Sequence, residues 1–371
     1  PTGGPVTIST QLGAWFYGTM SGTPSSVQIT SPSGEVTLVG DCCSATLDFG
    51  SAPVTIQAHD FLVGSGDGTA RLAGGPIVIR ATNVTLADGG EIASNASGNA
   101  ITIAGLIGNT SSFTQSSFGP VLSAPNGRWL VYANTPDSGF DPGVLDSFYD
   151  FRQYNAVYPA APVAAATGNG YLFALAPAVT VGGPNYLKVY DGNASAVLPA
   201  PAALSFGGLR AGDFLQSDPV LSGIAYADRN VHSGLPMQLT VASAPSILDN
   251  NERPVFGYRV VSSMLGTIDP RPLTVTAVTA QDKTYDGSTA AVLGGGSLVG
   301  LLPGETLQLS VSGQFDTPNV GNAKPVSVSV ALSDGPSALA SNYAVTGTGD
   351  TVVRASILPR PVTANGVVAQ D

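Results

Sequence analysis

The residues of this chain that could do chemistry are few. Four aspartates, Asp137, Asp141, Asp146 and Asp150, fall in one short reach. Paired carboxylates are the signature of glycoside hydrolysis, one acting as acid and the other as base or nucleophile. The same oxygens suit a hard cation such as Ca²⁺, but their spacing fits no dedicated calcium loop, so solvated turn residues are the expectation. The basic partners that a polysaccharide lyase would set on the same face are scarce, because residues 1–186 hold Arg71, Arg80, Arg128 and Arg152 and no lysine. The two histidines, His59 in "QAHDFL" and His232 in "NVHSG", lie near no G-x-S-x-G turn and read as solvated turn residues rather than members of a triad. Cys42 and Cys43 are adjacent. They read as two inert thiols or a small turn staple, and a strained vicinal disulfide is the labile redox alternative; the residues leave both open. With two histidines and these two cysteines, no zinc set of usual spacing is present. "LGGGSLVG" lacks the Lys-Ser/Thr of a phosphate loop. No catalytic residue, metal or cofactor is expected.

Composition narrows the partners. The 371 residues carry 14 Lys+Arg against 25 Asp+Glu, a net charge of -11, and the only lysines are Lys188, Lys283 and Lys324. Phosphate backbones and anionic membranes both demand clustered cations, so charge alone disfavours nucleic acid and lipid surfaces as partners. No apolar run reaches the roughly 18 residues of a membrane span. The opening "PTGGPVTIST" has no charged segment followed by an apolar one, so no signal peptide is expected and the chain reads as a piece of something longer.

Short β-branched runs position whatever function exists. Residues 1–120 show "VTIST", "VQIT", "VTLVG", "VTIQA", "IVIRA", "VTLADGG" and "ITIAG", each alternating and too short for an amphipathic helix. The runs starting at 54, 77 and 101 lie 23 and 24 residues apart. That spacing predicts stacked coils of a parallel β-solenoid, four or five of them, in preference to a hairpin-built β-sandwich. Residues 121–176 hold ten of the 27 aromatics, among them Trp129, Tyr132 and Tyr154. A bulky plug is expected there, because a solenoid that simply stopped would leave a bare apolar end and open strand edges. A platform for sugar rings is the functional alternative.

From residue 177 the chain repeats itself. "IDPRPLTVTAVTAQD" (268–282) aligns without gaps on "ILPRPVTANGVVAQD" (357–371), a period of 357 - 268 = 89. "GLRAGD" at Gly208 corresponds to "GLLPGE" at Gly300, and "YADRNV" to "FDTPNV". "KVYDGNASA" (Tyr190, Asp191, Gly192) corresponds to "KTYDGSTA" (Tyr285, Asp286, Gly287). The expected β-sandwich-like repeat domains span 177–270 and 271–360, with 361–371 as the first strand of a third. The Asp-Gly pairs read as tight turns, Gly supplying a positive φ and Asp bonding its own backbone, with Tyr190 and Tyr285 packed inward as the ring that closes each unit. His232 stands where the second copy has Gly321, which predicts a reshaped turn in the first.

These motifs, "K-x-Y-D-G-x-x-A", "G-L-x-x-G-[DE]" and "[FY]-x-x-x-N-V-G", resemble the YDG, or MBG-type, repeats of large bacterial surface proteins. "GRWLVY", "FRQYNAVY" and "GNGYLFALAP" resemble the junction that follows the β-helix in filamentous-haemagglutinin-like exoproteins of the two-partner secretion type. The resemblance covers about residues 50–371. It implies a secreted Gram-negative adhesin, exported through an outer-membrane transporter partner and displayed at the cell surface as a monomeric β-helical fibre. The implied ligand is a glycan or protein on a host or bacterial surface. The expectation is therefore an all-β, non-enzymatic adhesin or stalk, with a carbohydrate-acting enzyme using the cap carboxylates as the alternative.

Overall fold

Alternating β-branched runs of matched length can stack parallel, each rung satisfying the backbone groups of the one before. A computed structural model describes residues 3–40, 44–64, 68–116, 121–348 and 352–366. Cys42 and Cys43 lie outside the described residues. Strand is the dominant regular structure of the described residues, with three short 3-10 turns as their helices. It divides into two compact units, Pro1–Val181 with Phe206–Leu221 and Val241–Val261, and Gly182–Ser205 with Ser222–Thr240 and Ser262–Asp371.

The first unit is built on a solenoid-like stack. One face climbs through Val6–Ser9, Val27–Leu38, Val54–Val63, Ile77–Leu86, Gly98–Ala104, Gly127–Ala133 and Gly170–Phe173, all parallel. Register is fixed by one inward column, Ile8, Ile29, Ile56, Ile79, Ile103, Val131 and Tyr171, each opposite the next. The spacing of the runs at 54, 77 and 101 is this stacking, since Val54, Ile77 and Ile101 are direct partners. Another face stacks Phe16, Leu38, Val63 and Leu86, and a separate five-stranded sheet stacks Met20, Leu47, Leu72, Ile92 and Leu122. Residues 1–120 supply five rungs of the first face, and the ladder runs on past them. Trp129 and Tyr132, expected in a plug, sit in a strand that is itself a rung on Gly98–Ala104. The aromatics of this rung pack on further rings, Trp129 on Tyr171 at 5.3 Å and Tyr132 on Tyr158 at 5.1 Å. The face then continues through Phe151–Gln153 and Val255–Phe256, so its last partner comes from residues expected in the first repeat.

The second unit contains a full two-sheet repeat. Leu293–Val299, Arg271–Ala280 and Tyr343–Thr348 form one sheet; Lys283–Thr284, Val353–Leu358, Gly321–Ser333, Gln308–Phe315 and Ala290–Ala291 form the other. Val275, Val278, Phe315, Val326, Val353, Ala355 and Ile357 make the core between them. The first repeat has the same two strand orders: Ser205–Gly207, Ala178–Gly182, Arg259–Ser262, and Tyr186–Val189, Leu265–Asp269, His232–Ser243, Val220–Tyr226, Ser195–Ala196. Its three-stranded sheet belongs chiefly to the first unit and its five-stranded sheet chiefly to the second.

The reshaped turn at His232 is not found. The register slips between His232 and Leu235 in one copy and between Gly321 and Lys324 in the other, the same bulge 89 residues apart. Its positive φ falls on Gly234 and on Ala323, not on the His/Gly position, which is why the exchange is tolerated. Neither histidine is in a turn: His59 lies within the strand Val54–Val63, where the solenoid rounds a corner, and His232 opens a strand, both solvent-facing. Residues 361–366, expected as an opening strand, form none. Their counterpart Arg271–Ala280 is held between two neighbours of its own repeat, and 361–366 have no such neighbours among the described residues.

Candidate functional site

The four cap carboxylates do not gather into one constellation. Asp137 pairs with Arg210, and Asp150 accepts the Asn169 N–H at 2.7 Å. Asp141 accepts the Gly143 N–H at 3.2 Å, a turn-forming role. Asp141 and Asp146 do share a shallow groove of about 340 Å³ with Arg152, Phe140, Tyr171 and Phe173. Among the described residues, no three acidic, His or Cys side chains gather as a metal site.

Beneath that groove, in the first unit, lies a buried polar cluster. Arg152 reaches Asp213 at 3.8 Å and Asp249 at 3.6 Å, and donates to the Tyr149 hydroxyl at 2.8 Å. Tyr149 in turn donates to Asp249. Asp249 holds its own turn as well, accepting from the N–H groups of Asn251 and Arg253 at 2.8 and 3.1 Å. The Arg253 guanidinium lies over the Tyr149 ring at 4.1 Å and donates to the Asp146 and Ser147 carbonyls. Burial pushes the Asp213 carboxyl above its ordinary range, against the pull of Tyr258 and Arg152. Burial, with Asp213 beside it, drives the Tyr154 hydroxyl up to about 12. Hydrogen bonds and ion pairs tie these groups to one another, while the second Asp213 oxygen, Oδ1, is buried with the Arg152 ion pair at 3.8 Å and no hydrogen bond among the described residues.

In the second unit the two Tyr-Asp-Gly stretches fold into one clasp, made twice. Lys188 donates to Asp191 at 2.7 Å and to the Asn193 carbonyl at 2.6 Å; Lys283 donates to Asp286 at 2.9 Å and to the Ser288 carbonyl at 2.8 Å. The aspartate closes the turn by accepting the N–H two residues on, from Asn193 at 3.1 Å and Ser288 at 2.8 Å. Gly192 and Gly287 carry φ of +82° and +80°, the left-handed region that a side chain resists. Each ammonium also lies over a buried ring, Lys188 on Tyr226 at 5.2 Å and Lys283 on Phe315 at 5.7 Å. The Lys283 ammonium, then the Ser288 N–H, holds the Asp286 carboxyl down at about 2. Partial burial pushes Asp191 up, yet Lys188 and Asn193 together keep it below its ordinary value. The third lysine, Lys324, is likewise bound, to Asp316 at 3.0 Å.

The tyrosines of the motif behave differently from one another. Tyr190 is 2% exposed, but it does not close its own repeat: its hydroxyl donates to Glu305 of the next one at 2.8 Å. Tyr343 donates to the other Glu305 oxygen at 2.5 Å and accepts the Leu302 N–H at 3.1 Å, its ring meeting Tyr190 edge-on at 5.5 Å. Tyr285 does not pack inward either; it is 40% exposed. The first unit holds a second version of the Tyr190 arrangement. Asp213, which occupies the Glu305 place in "GLRAGD", accepts from Tyr258 at 2.7 Å and from Tyr154 at 3.3 Å. Tyr258 accepts the Arg210 N–H at 2.9 Å, and its ring meets Tyr154 edge-on at 5.2 Å.

The sequence singles out Tyr154 and Tyr190 but not the groups they bind. Asp213 and Glu305 were visible as the acidic end of "G-L-x-x-G-[DE]", and Tyr258 and Tyr343 each precede the short run "RVV" or "AVT". Arg152 and Asp249 gave no signal, because they meet only through the fold. No curated protein and no solved structure matches the chain. Residues 269–351, the stretch that holds the Lys283 clasp, Glu305 and Tyr343, match the family model described as the YDG domain, and the chain therefore carries a YDG domain there.

Proposed function

We propose that the protein is a non-enzymatic adhesin or stalk segment of a secreted bacterial surface protein, in which a β-solenoid and YDG repeats carry and space a binding surface. The observation that carries this reading is the use made of the charged groups. The three lysines and the carboxylates Asp213 and Glu305 are engaged within the protein, closing clasps and joining modules. One surface on the solenoid is a groove of about 480 Å³, with Asp48 and Arg71 on one wall and Gly74, Gly75, Ala93 and Ala96 along it. The resemblance of the chain's junction motifs to filamentous-haemagglutinin-like exoproteins adds export through an outer-membrane transporter and display at a Gram-negative surface. The test is adhesion under flow: beads coated with the chain are expected to be retained on cells or bacteria, and retention no better than that of albumin-coated beads refutes the reading.

The groove holding Asp141, Asp146 and Arg152 beside three aromatic rings favours a second reading, a carbohydrate-acting enzyme. A reducing-end assay on polysaccharides distinguishes it: product formed by the native chain and lost in Asp141→Asn/Asp146→Asn supports the enzyme.

A further inference from the structure

The tyrosine joint occurs twice with its partner in place, and a third tyrosine stands ready without one. Tyr154 is 1% exposed under Asp213 and Tyr258; Tyr190 is 2% exposed under Glu305 and Tyr343. Around Tyr190 the contact is wider than one hydroxyl. A side chain at Gly192 would meet Leu302 at 3.1 Å, so the incoming loop presses directly on the turn. The Val231 N–H donates to the Asn342 side chain at 2.9 Å, and Asn342 donates back to Asn230 at 2.9 Å.

Every upstream member of this set has a counterpart in the second repeat, and every counterpart is open. Tyr285 is 40% exposed and its hydroxyl has no partner among the described residues. Nothing lies within 4 Å of the position a side chain at Gly287 would take. Asn319 is exposed and Val320 is 50% exposed, where Asn230 and Val231 are half-buried. The backbone that presents them is the same in both copies: the Tyr190 N–H donates to the Asp269 carbonyl and the Tyr285 N–H to the Leu358 carbonyl, each at 2.9 Å. Immediately beyond, residues 357–371 repeat 268–282, the stretch that opens the YDG domain.

We propose that Tyr285, Gly287, Asn319 and Val320 form the docking face for a further YDG-type repeat, whose Gly-Leu-x-x-Gly-[Asp/Glu] loop sets a carboxylate and a tyrosine ring on Tyr285. The joint is thus a transferable unit. An upstream tyrosine donates to a downstream carboxylate, which a downstream tyrosine also engages, and the contact ties one repeat to the next. The inference rests on the spacing half of the proposed function and not on what the protein attaches to, so adhesion and docking fail independently.

The test uses tyrosine nitration by tetranitromethane, read peptide by peptide. In the 371-residue chain Tyr285 is expected to react at least about tenfold faster than Tyr190, as an open site does against one that must first unlock. In a chain extended by a second copy of residues 283–371, Tyr285 is expected to fall to the Tyr190 rate, and the added copy's own motif tyrosine to become the fast one. An extended chain that leaves Tyr285 fast while the added repeat is folded, as shown by exchange protection of its strands, overturns the proposal. A measurement on the unextended chain guards against an added copy that does not fold. Glu305→Gln is expected to bring Tyr190 toward the Tyr285 rate without altering Tyr285, and full protection of Tyr190 in that variant overturns the joint chemistry on which the proposal stands.

Discussion

Tyr190→Phe and Tyr285→Phe remove the same atom from the same motif, and the structure gives them different consequences. The Tyr190 hydroxyl is buried and bonded at 2.8 Å to a carboxylate, a bond class that contributes about 1.5–3 kcal/mol when intact. Glu305 is only half-buried and keeps Tyr343 on its other oxygen, so water can relieve part of the loss. The expected cost of Tyr190→Phe is therefore at the lower end, about 1.5 kcal/mol, while the exposed Tyr285→Phe is expected to cost under about 0.5 kcal/mol. Global unfolding of a chain with several modules is not two-state, so a local reporter is needed. The Leu302 N–H serves, because it donates to the Tyr343 hydroxyl and loses protection when the joint opens. A cost of 1.4 kcal/mol corresponds to about tenfold faster exchange in the Leu302 peptide. Combining Tyr190→Phe with Glu305→Gln is expected to give less than the sum, with about 1 kcal/mol of coupling. Equal effects of Tyr190→Phe and Tyr285→Phe, or strict additivity with Glu305→Gln, refute the reasoning.

Arg152→Met leaves Asp213 and Asp249 buried without their cation and is expected to destabilise the first unit by about 3–5 kcal/mol, measurable as earlier urea-induced loss of tyrosine fluorescence. Ile79→Ala removes one member of the inward column and is expected to cost about 2–5 kcal/mol by the same assay, with Thr55→Ala on the outer face near zero. Acid should act on the two kinds of carboxylate with opposite sign. Asp286 and Asp191 are depressed in the fold, so their contribution is present above the unfolded value and lost as pH falls through the folded one, near 2 for Asp286. Asp213 is raised, so its protonated form favours the fold, and stability at that site falls as pH rises from its ordinary 3.8 to its raised value. Asp213→Asn is expected to abolish that second dependence in a pH series of thermal melts while leaving the acid limb of the clasps unchanged.

The ladder was legible because a solenoid writes its register into the sequence: Val54, Ile77 and Ile101 begin like runs and end as direct partners. The two repeats were legible for a related reason, since 89-residue spacing survives in the bulge at His232 and Gly321. The Asp-Gly turns were readable from local chemistry, and the lysine that closes each lies three residues before its aspartate. What the sequence withheld is non-local. Tyr190 and Glu305 are 115 residues apart, and Tyr154 and Asp213 are 59 apart; no period or motif links such pairs. The same inward-pointing rule, applied alike to Tyr190 and Tyr285, failed because burial there comes from the following module and not from the tyrosine's own sheet. Trp129 and Tyr132 misled in the opposite sense: large aromatics suggested a plug, and the backbone made them another rung.

The proposed function is attachment without chemistry. The measurement is retention of the labelled native chain on arrays of glycans and cell-surface proteins, with the mass of every captured glycan determined on the same spots. Saturable retention on a defined set of spots, with glycan masses unchanged and with Asp141→Asn/Asp146→Asn behaving as the native chain, is the predicted result. Shortened glycans under the native chain that stay whole under the double variant, or no retention on any surface, would contradict it.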